Sequence, residues 1–287
     1  MLSATLALLL QVGPNPGAAP VTAVPPELDE LRRRQRTEQN ANGNDNDGLA
    51  PVADRLQSCL VRAEQDSTAA RIEAEAWFNS AIGLTRAQAL QCRGYAEANL
   101  GQWADAARSF IAARDDSDAV DAKYRARLGA MAANALLTAG NTESALPVLD
   151  RAKDDSTEAE FTQLSAEIEI DRARALVSQN KLAAASEALS EARTLAPMSV
   201  RAWLLSATLS RRTDDLAAAQ TQIEQAAMLD PANPEIGLEA GVIAVLSGND
   251  GAARLSWQSI VTLAPDSPQA TTAKSYLAQL ENTEEQP

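Results

Sequence analysis

The chain has 287 residues, a net charge of −14 and no histidine. The missing imidazole removes Ser-His-Asp and Cys-His nucleophile arrangements and the usual catalytic zinc ligand sets. The acidic balance argues against nucleic acid as a ligand, because phosphates are neutralised by Lys and Arg.

In chain order, the apolar segment 2–12 is followed by Gly, Pro and Ala, and Val21-Thr22-Ala23 resembles a small-residue cleavage site. Residues 1–23 therefore read as a secretory signal peptide, although no Lys or Arg precedes the apolar core. No run approaches the roughly 20 apolar residues that a membrane-spanning helix needs. Residues 24–49 read as a disordered polar linker rich in Pro, Asn, Asp and Glu. Its basic run, Arg32-Arg33-Arg34-Gln35-Arg36, fits a solvated tail better than an anionic-surface contact. Asn44-Asp45-Asn46-Asp47-Gly48 with Asp54 imitates a calcium loop. Gly43 would occupy its first position, Pro51 interrupts it and Asp54 replaces the bidentate Glu, so neither a metal nor a cofactor is expected.

Residues 50–287 read as helical throughout, with no convincing strand alternation. Two helices are expected over 51–64 and 67–82, with Val52, Leu56, Cys59, Leu60 and Ala63 on one face. Gly94, Gly101, Trp103, Ala106, Phe110 and Ala113 mark a helix pair over 87–120, and Gly140, Ala145, Leu149 and Ala152 mark another over 126–159. The turn residues Gly101, Gly140 and Asn180 stand 39 and 40 residues apart, which predicts extended loops at the acidic stretches Asp115–Asp118 and Asp154–Glu158.

From there the spacing tightens. Pro197, Pro231 and Pro265 are 34 residues apart, as are Ala185, Ala219 and Ala253, and Leu189, Ile223 and Trp257. Ser199, Asn233 and Ser267 are placed to cap helices, and Pro234 and Pro268 fall at first-turn positions where a missing N–H is harmless. Asn180, Asp214 and Gly248 are placed to turn the chain inside each pair. Such a period, built from two amphipathic helices, marks a solenoid whose units bury their apolar stripes only by stacking. A last helix over 268–281, with Tyr276, Leu277 and Leu280, is expected to close the array.

These residues resemble the tetratricopeptide repeat, whose pattern asks for a large residue at position 4, small residues at 8 and 20, bulk at 24, Ala at 27 and Pro at 32. The stretch 200–233 matches with Trp203, Ala207, Ala219, Ile223, Ala226 and Pro231, and 166–199 with Ala173, Leu182, Ala185, Leu189, Ala192 and Pro197. The stretch 234–267 matches with Gly241, Gly248, Ala253, Trp257 and Pro265, but Gly237 is a poor substitute for the large residue at position 4. The resemblance implies an all-α fold, a right-handed α-solenoid of helix-turn-helix repeats with a C-terminal capping helix.

It also implies a peptide-binding groove lined by first-helix positions: Arg127, Asn134, Arg174, Arg201, Leu204, Leu205, Thr208, Arg211, Arg212, Leu238, Val242, Val245 and Leu246. The arginines would suit an acidic or C-terminal peptide, or would pair with Asp171, Asp214 or Glu239. A terminal-carboxylate clamp known in part of the family is absent, because Ala130, Asn134, Asp171, Arg201 and Leu205 occupy its positions. Removal of Arg201, Arg211 and Arg212 together is expected to weaken binding and leave helicity intact. Cys59 and Cys92 are candidates for a disulfide if the chain is exported, or for two buried thiols otherwise. The sequence thus predicts a non-catalytic scaffold for a partner protein or peptide, with periplasmic or envelope localisation. An intracellular or membrane-tethered assembly factor is the alternative, and a carboxylate-based enzyme a remote one.

Overall fold

The computed structural model describes residues 52–117 and 121–284, so the expected signal peptide, the linker and the imitation calcium loop up to Pro51 lie outside the described residues. Within them the chain is all helix: α1 (Val52–Gln65), α2 (Ser67–Ser80), α3 (Gly83–Asn99), α4 (Trp103–Asp115), α5 (Ala122–Thr138), α6 (Thr142–Glu158), α7 (Thr162–Ser178), α8 (Leu182–Leu195), α9 (Val200–Arg212), α10 (Leu216–Leu229), α11 (Pro234–Leu246), α12 (Asp250–Leu263) and α13 (Pro268–Glu284). No described helix is long and apolar enough to cross a membrane. Consecutive helices pack together from α1 to α5 and from α7 to α13, Gly129 of α5 lies against Ala152 of α6, and α9 also meets α11, as α11 meets α13. The chain forms two compact units, one ending at Asp155 and the other beginning at Ser156.

Each pair is held closed by the positions that keep the period. Ala106, Ala145, Ala185, Ala219 and Ala253 are all fully buried. Phe110, Leu149, Leu189, Ile223 and Trp257, four residues later on the same face, fill the space beside them. Where the bulk is largest, the facing helix gives up its side chain: a Cβ on Gly241 would stand 2.1 Å from Trp257 Nε1, and one on Gly94 would stand 2.8 Å from the Phe110 ring.

Gly237 has the same kind of explanation. Its repeat carries Ile260 at the position where the others carry alanine, and a Cβ on Gly237 would meet Ile260 Cγ1 at 2.8 Å. The preceding repeat uses the opposite choice, Trp203 with Ala226. Gly237 is therefore the small half of a size exchange across the pair, rather than a defective position 4.

The turns inside the pairs share one device. Gly101, Gly140, Asn180, Asp214 and Gly248 all adopt positive φ, between 58° and 76°. In each case the next residue's N–H reaches back five residues: Gln102 to Glu97 O, Asn141 to Leu136 O, Lys181 to Leu176 O and Asp215 to Ser210 O at 2.9 Å, and Asn249 to Ala244 O at 2.8 Å. This is the Schellman closure, which satisfies carbonyls left over at a helix end. Between pairs, Ser199, Asn233 and Ser267 accept the backbone N–H groups of Ala202, Glu235 and Ala270 at 3.0–3.3 Å. Trp203 Nε1 donates to Pro197 O at 2.8 Å, which ties the proline loop to the helix that follows it.

The expected long loops are not where the extra residues go. α3, α5 and α7 are 17 residues each and start at Gly83, Ala122 and Thr162, one turn ahead of the expected repeat starts at 87, 126 and 166. Asp154–Glu158 forms the last turn of α6, and Asp115 ends α4. An added helical turn satisfies its own N–H and C=O groups, whereas an added loop turn must find partners for them.

Candidate functional site

The expected groove residues fall on α5 in the first unit and on α7, α9 and α11 in the second. In the first unit, Arg127 and Asn134 lie half-buried on α5. Nearby, Asp155 is nearly buried and accepts from Arg114 at 2.8 Å and Arg125 at 3.1 Å, tying α4, α5 and α6 together. Arg93 of α3 reaches Glu75 at 2.8 Å and Ser109 at 3.0 Å. Ser109 in turn donates to Glu97 at 2.6 Å. Burial pushes the Tyr124 phenol upward, and its hydroxyl donates to Gln91 Oε1 at 2.7 Å.

In the second unit the wall of first helices divides into two stripes. Arg201, Leu205 and Arg212 stay accessible on α9, and Arg174 is half-exposed on α7. Arg201 Nη1 donates to Glu167 at 3.0 Å and Nη2 to Asp171 at 3.3 Å, while Arg174 reaches the same Asp171 oxygen at 3.0 Å. The result is a partly solvated lattice of two cations and two carboxylates across α7 and α9. Glu167 went unnoticed in the sequence reading, although a signal existed: it stands 34 residues before Arg201, the same repeat position with opposite charge.

The other stripe corrects the sequence reading. Leu204, Thr208 and Arg211, spaced i, i+4, i+7, turn toward α11 and are buried. Leu204 belongs to the core shared with Ile223, Ile236 and Ile243. Arg211 is gripped by Glu239, with Nε donating to Oε1 at 2.6 Å and Nη2 to Oε2 at 3.3 Å, and its side chain has no exposed surface. It is not a groove cation, and a variant lacking it tests the fold as much as binding. Burial raises the Glu239 carboxyl above its ordinary range against the opposing pull of Arg211. The Thr208 hydroxyl lies close enough to favour the charged carboxylate, but outside hydrogen-bond geometry.

The α11 residues are likewise claimed by the chain itself. Val242 is buried in a cluster with Trp257 of α12 and Ala270, Ala273, Tyr276 and Leu280 of α13. Leu238, Val245 and Leu246 are half-buried and pack on that cluster. The physical reason is that a first helix is covered by the next first helix, and α13 is the next one after α11.

Cys59 of α1 and Cys92 of α3 are joined by a disulfide, with Cα atoms 6.1 Å apart. Both lie fully buried in a small cluster with Ala74, Trp77 and Ala89. Among the described residues no group of acidic and thiol side chains is arranged to hold a metal ion. A shallow furrow between α1 and α2, lined by Gln57, Val61, Arg62 and Ala69, contains none of the expected groove residues.

No protein-family model matches the chain, and no curated protein matches it either. Solved structures do. PilW, described as a widely conserved type IV pilus biogenesis factor, is similar with a TM-score of 0.62 over 78% of this chain and 99% of its own, at 17% identity. PilF of Pseudomonas aeruginosa gives 0.60 over 78% of this chain and 97% of its own, at 14% identity. YrrB, described as a TPR protein with an unusual peptide-binding site, gives 0.50 over 65% of this chain and 91% of its own, at 16% identity. The in-phase helix pairs and these neighbours agree: in fold, the chain is a tetratricopeptide-type α-solenoid.

Proposed function

We propose that this chain is a non-catalytic interaction scaffold that holds a partner protein or peptide against its wall of first helices, in the periplasm or cell envelope. The observation that carries the reading is the lattice in which part-exposed Arg174, Arg201 and Glu167 gather around the buried Asp171, flanked by Leu205 and Arg212. Its guanidinium groups already hold carboxylates at hydrogen-bonding distance and remain within reach of solvent. An acidic segment or a chain terminus that replaces Glu167 would meet the same planar donors. The neighbours support a binding role, one being described as a pilus biogenesis factor and another as having a peptide-binding site. The buried Cys59–Cys92 bond supports an oxidising compartment.

The test is affinity capture from the native cell with the intact chain and with an Arg174→Ala/Arg201→Ala/Arg212→Ala variant. Arg211 is left in place because it belongs to the core. The reading expects the co-eluting partner to be lost and helicity to be kept; capture unchanged by the triple variant rejects it.

A further inference from the structure

Arg201 holds its two carboxylates on very different terms. Asp171 has 12% of its side chain exposed and is shared with Arg174 at 3.0 Å, so it is a fixed part of the wall. The Glu167 side chain is 38% exposed and that of Arg201 41%. Such an open ion pair contributes little by itself, because water and salt screen it. The two contacts also use different nitrogens, Nη1 for Glu167 and Nη2 for Asp171. Nη1 can therefore exchange its carboxylate while Nη2 keeps the guanidinium in place.

Arg212 stands eleven residues on, three turns along the same face of α9. It is exposed, and no described residue pairs with it. Ser178 and Leu246, one period before and after it, are uncharged, so its repeat position supplies no counter-ion. The two cations lie about 16 Å apart along the helix. Half-buried Leu205 stands between them, one turn from Arg201. In an extended segment alternate side chains share a face, so acids four residues apart stand about 13 Å apart. The reach of the glutamate and arginine side chains covers the remainder.

Taking the lattice on α7 and α9 as the docking wall, we propose that Glu167 is a built-in competitor for the partner's carboxylate. The partner's docking segment is extended, with two acidic side chains four residues apart and an apolar one midway. One acid takes the place of Glu167 on Arg201 Nη1, the apolar side chain lies on Leu205, and the second acid pairs with Arg212. A partner with a single acid only exchanges one carboxylate for another at Arg201. The second acid adds the contact that nothing in the chain already makes.

The test is an anisotropy titration of the full chain with fluorescently labelled synthetic peptides at low salt. The probe is Gly-Glu-Ser-Leu-Ser-Glu-Gly with blocked ends, and the control carries the same residues with the two acids side by side. Glu167→Gln is expected to bind the probe about two- to five-fold tighter than the unaltered chain, the worth of an open ion pair. Arg212→Ala is expected to bind it about ten-fold more weakly, and the control is expected to lose as much. Glu167→Gln that binds no tighter, Arg212→Ala that binds equally, a control that binds as well as the probe, or no binding at millimolar probe overturns the proposal. The scaffold reading outlives that failure if the Arg174→Ala/Arg201→Ala/Arg212→Ala variant still loses the native partner. Capture unchanged by the triple variant removes the scaffold reading itself.

Discussion

At the scale of single residues, the left-handed turns and the glycine contacts make the sharpest predictions. Asp214 holds φ at 65°, a conformation that glycine adopts without steric cost. Asp214→Gly is therefore expected to raise stability by about 0.5–1 kcal/mol, measured by denaturant unfolding. Gly241→Ala is expected to lower it by about 1–3 kcal/mol or more, since the new methyl meets the Trp257 ring, which is fully buried. Gly237→Ala is expected to be destabilising and partly rescued by Ile260→Val, a coupling that a double-mutant cycle reads directly. The Glu239 carboxyl adds a pH dependence. Its folded-state pKa is raised above the ordinary 4.5 by burial, so the folded chain holds this proton to a higher pH than the unfolded chain does. The site's contribution to stability then falls as pH rises from the ordinary value to the raised one, and the loss is complete above the raised value. A carboxyl-carbon NMR titration of Glu239 with a midpoint at or below 4.5 would contradict this.

At the scale of elements, α1 is the helix most dependent on a covalent tie. It buries Cys59 and Ala63 completely, while Leu56 and Leu60 are only half-buried. The bond to Cys92 closes a separation of 33 residues, for which the loop-entropy estimate is about 3–4 kcal/mol. Reduction, or a Cys59→Ser/Cys92→Ser variant, is expected to cost about that much and to speed hydrogen exchange in α1 first. Uniform loss of protection through α2 and α3 would instead show that the helix is held by packing. The Arg211–Glu239 pair makes a contrasting case, because removing one partner strands a buried charge. Glu239→Ala is expected to cost about 3–5 kcal/mol, whereas replacing both with Met and Leu is expected to be neutral or stabilising. Spacing predicted the helices well because each needs only its own apolar stripe and caps. It misjudged the extra residues at 154–158, because acidity suggests solvent but does not forbid a helix.

At the scale of the whole molecule, the compartment is open to a direct measurement. Mass spectrometry of the mature chain from its native cell is expected to find an N-terminus near Ala23; a retained Met1 would favour the tethered or intracellular alternative. The solenoid class was legible in the sequence because a repeat array is a local code. Ala185, Ala219 and Ala253, or Pro197, Pro231 and Pro265, announce the same contact each time it recurs. The charge partner of Arg201 was readable too, one period upstream at Glu167. The fate of Leu204, Thr208, Arg211 and Val242 was not readable from those rules. A family pattern assigns a first-helix position to the wall, but burial depends on which stripe the next first helix covers and on whether a last helix exists to cover it. The sequence by itself determined the helices, their caps, their turns and their order, since all of these are settled within one repeat length. Only the tertiary structure decided which part of the wall faces water, because that depends on side chains packing across repeats, where α11 covers α9 and α13 covers α11.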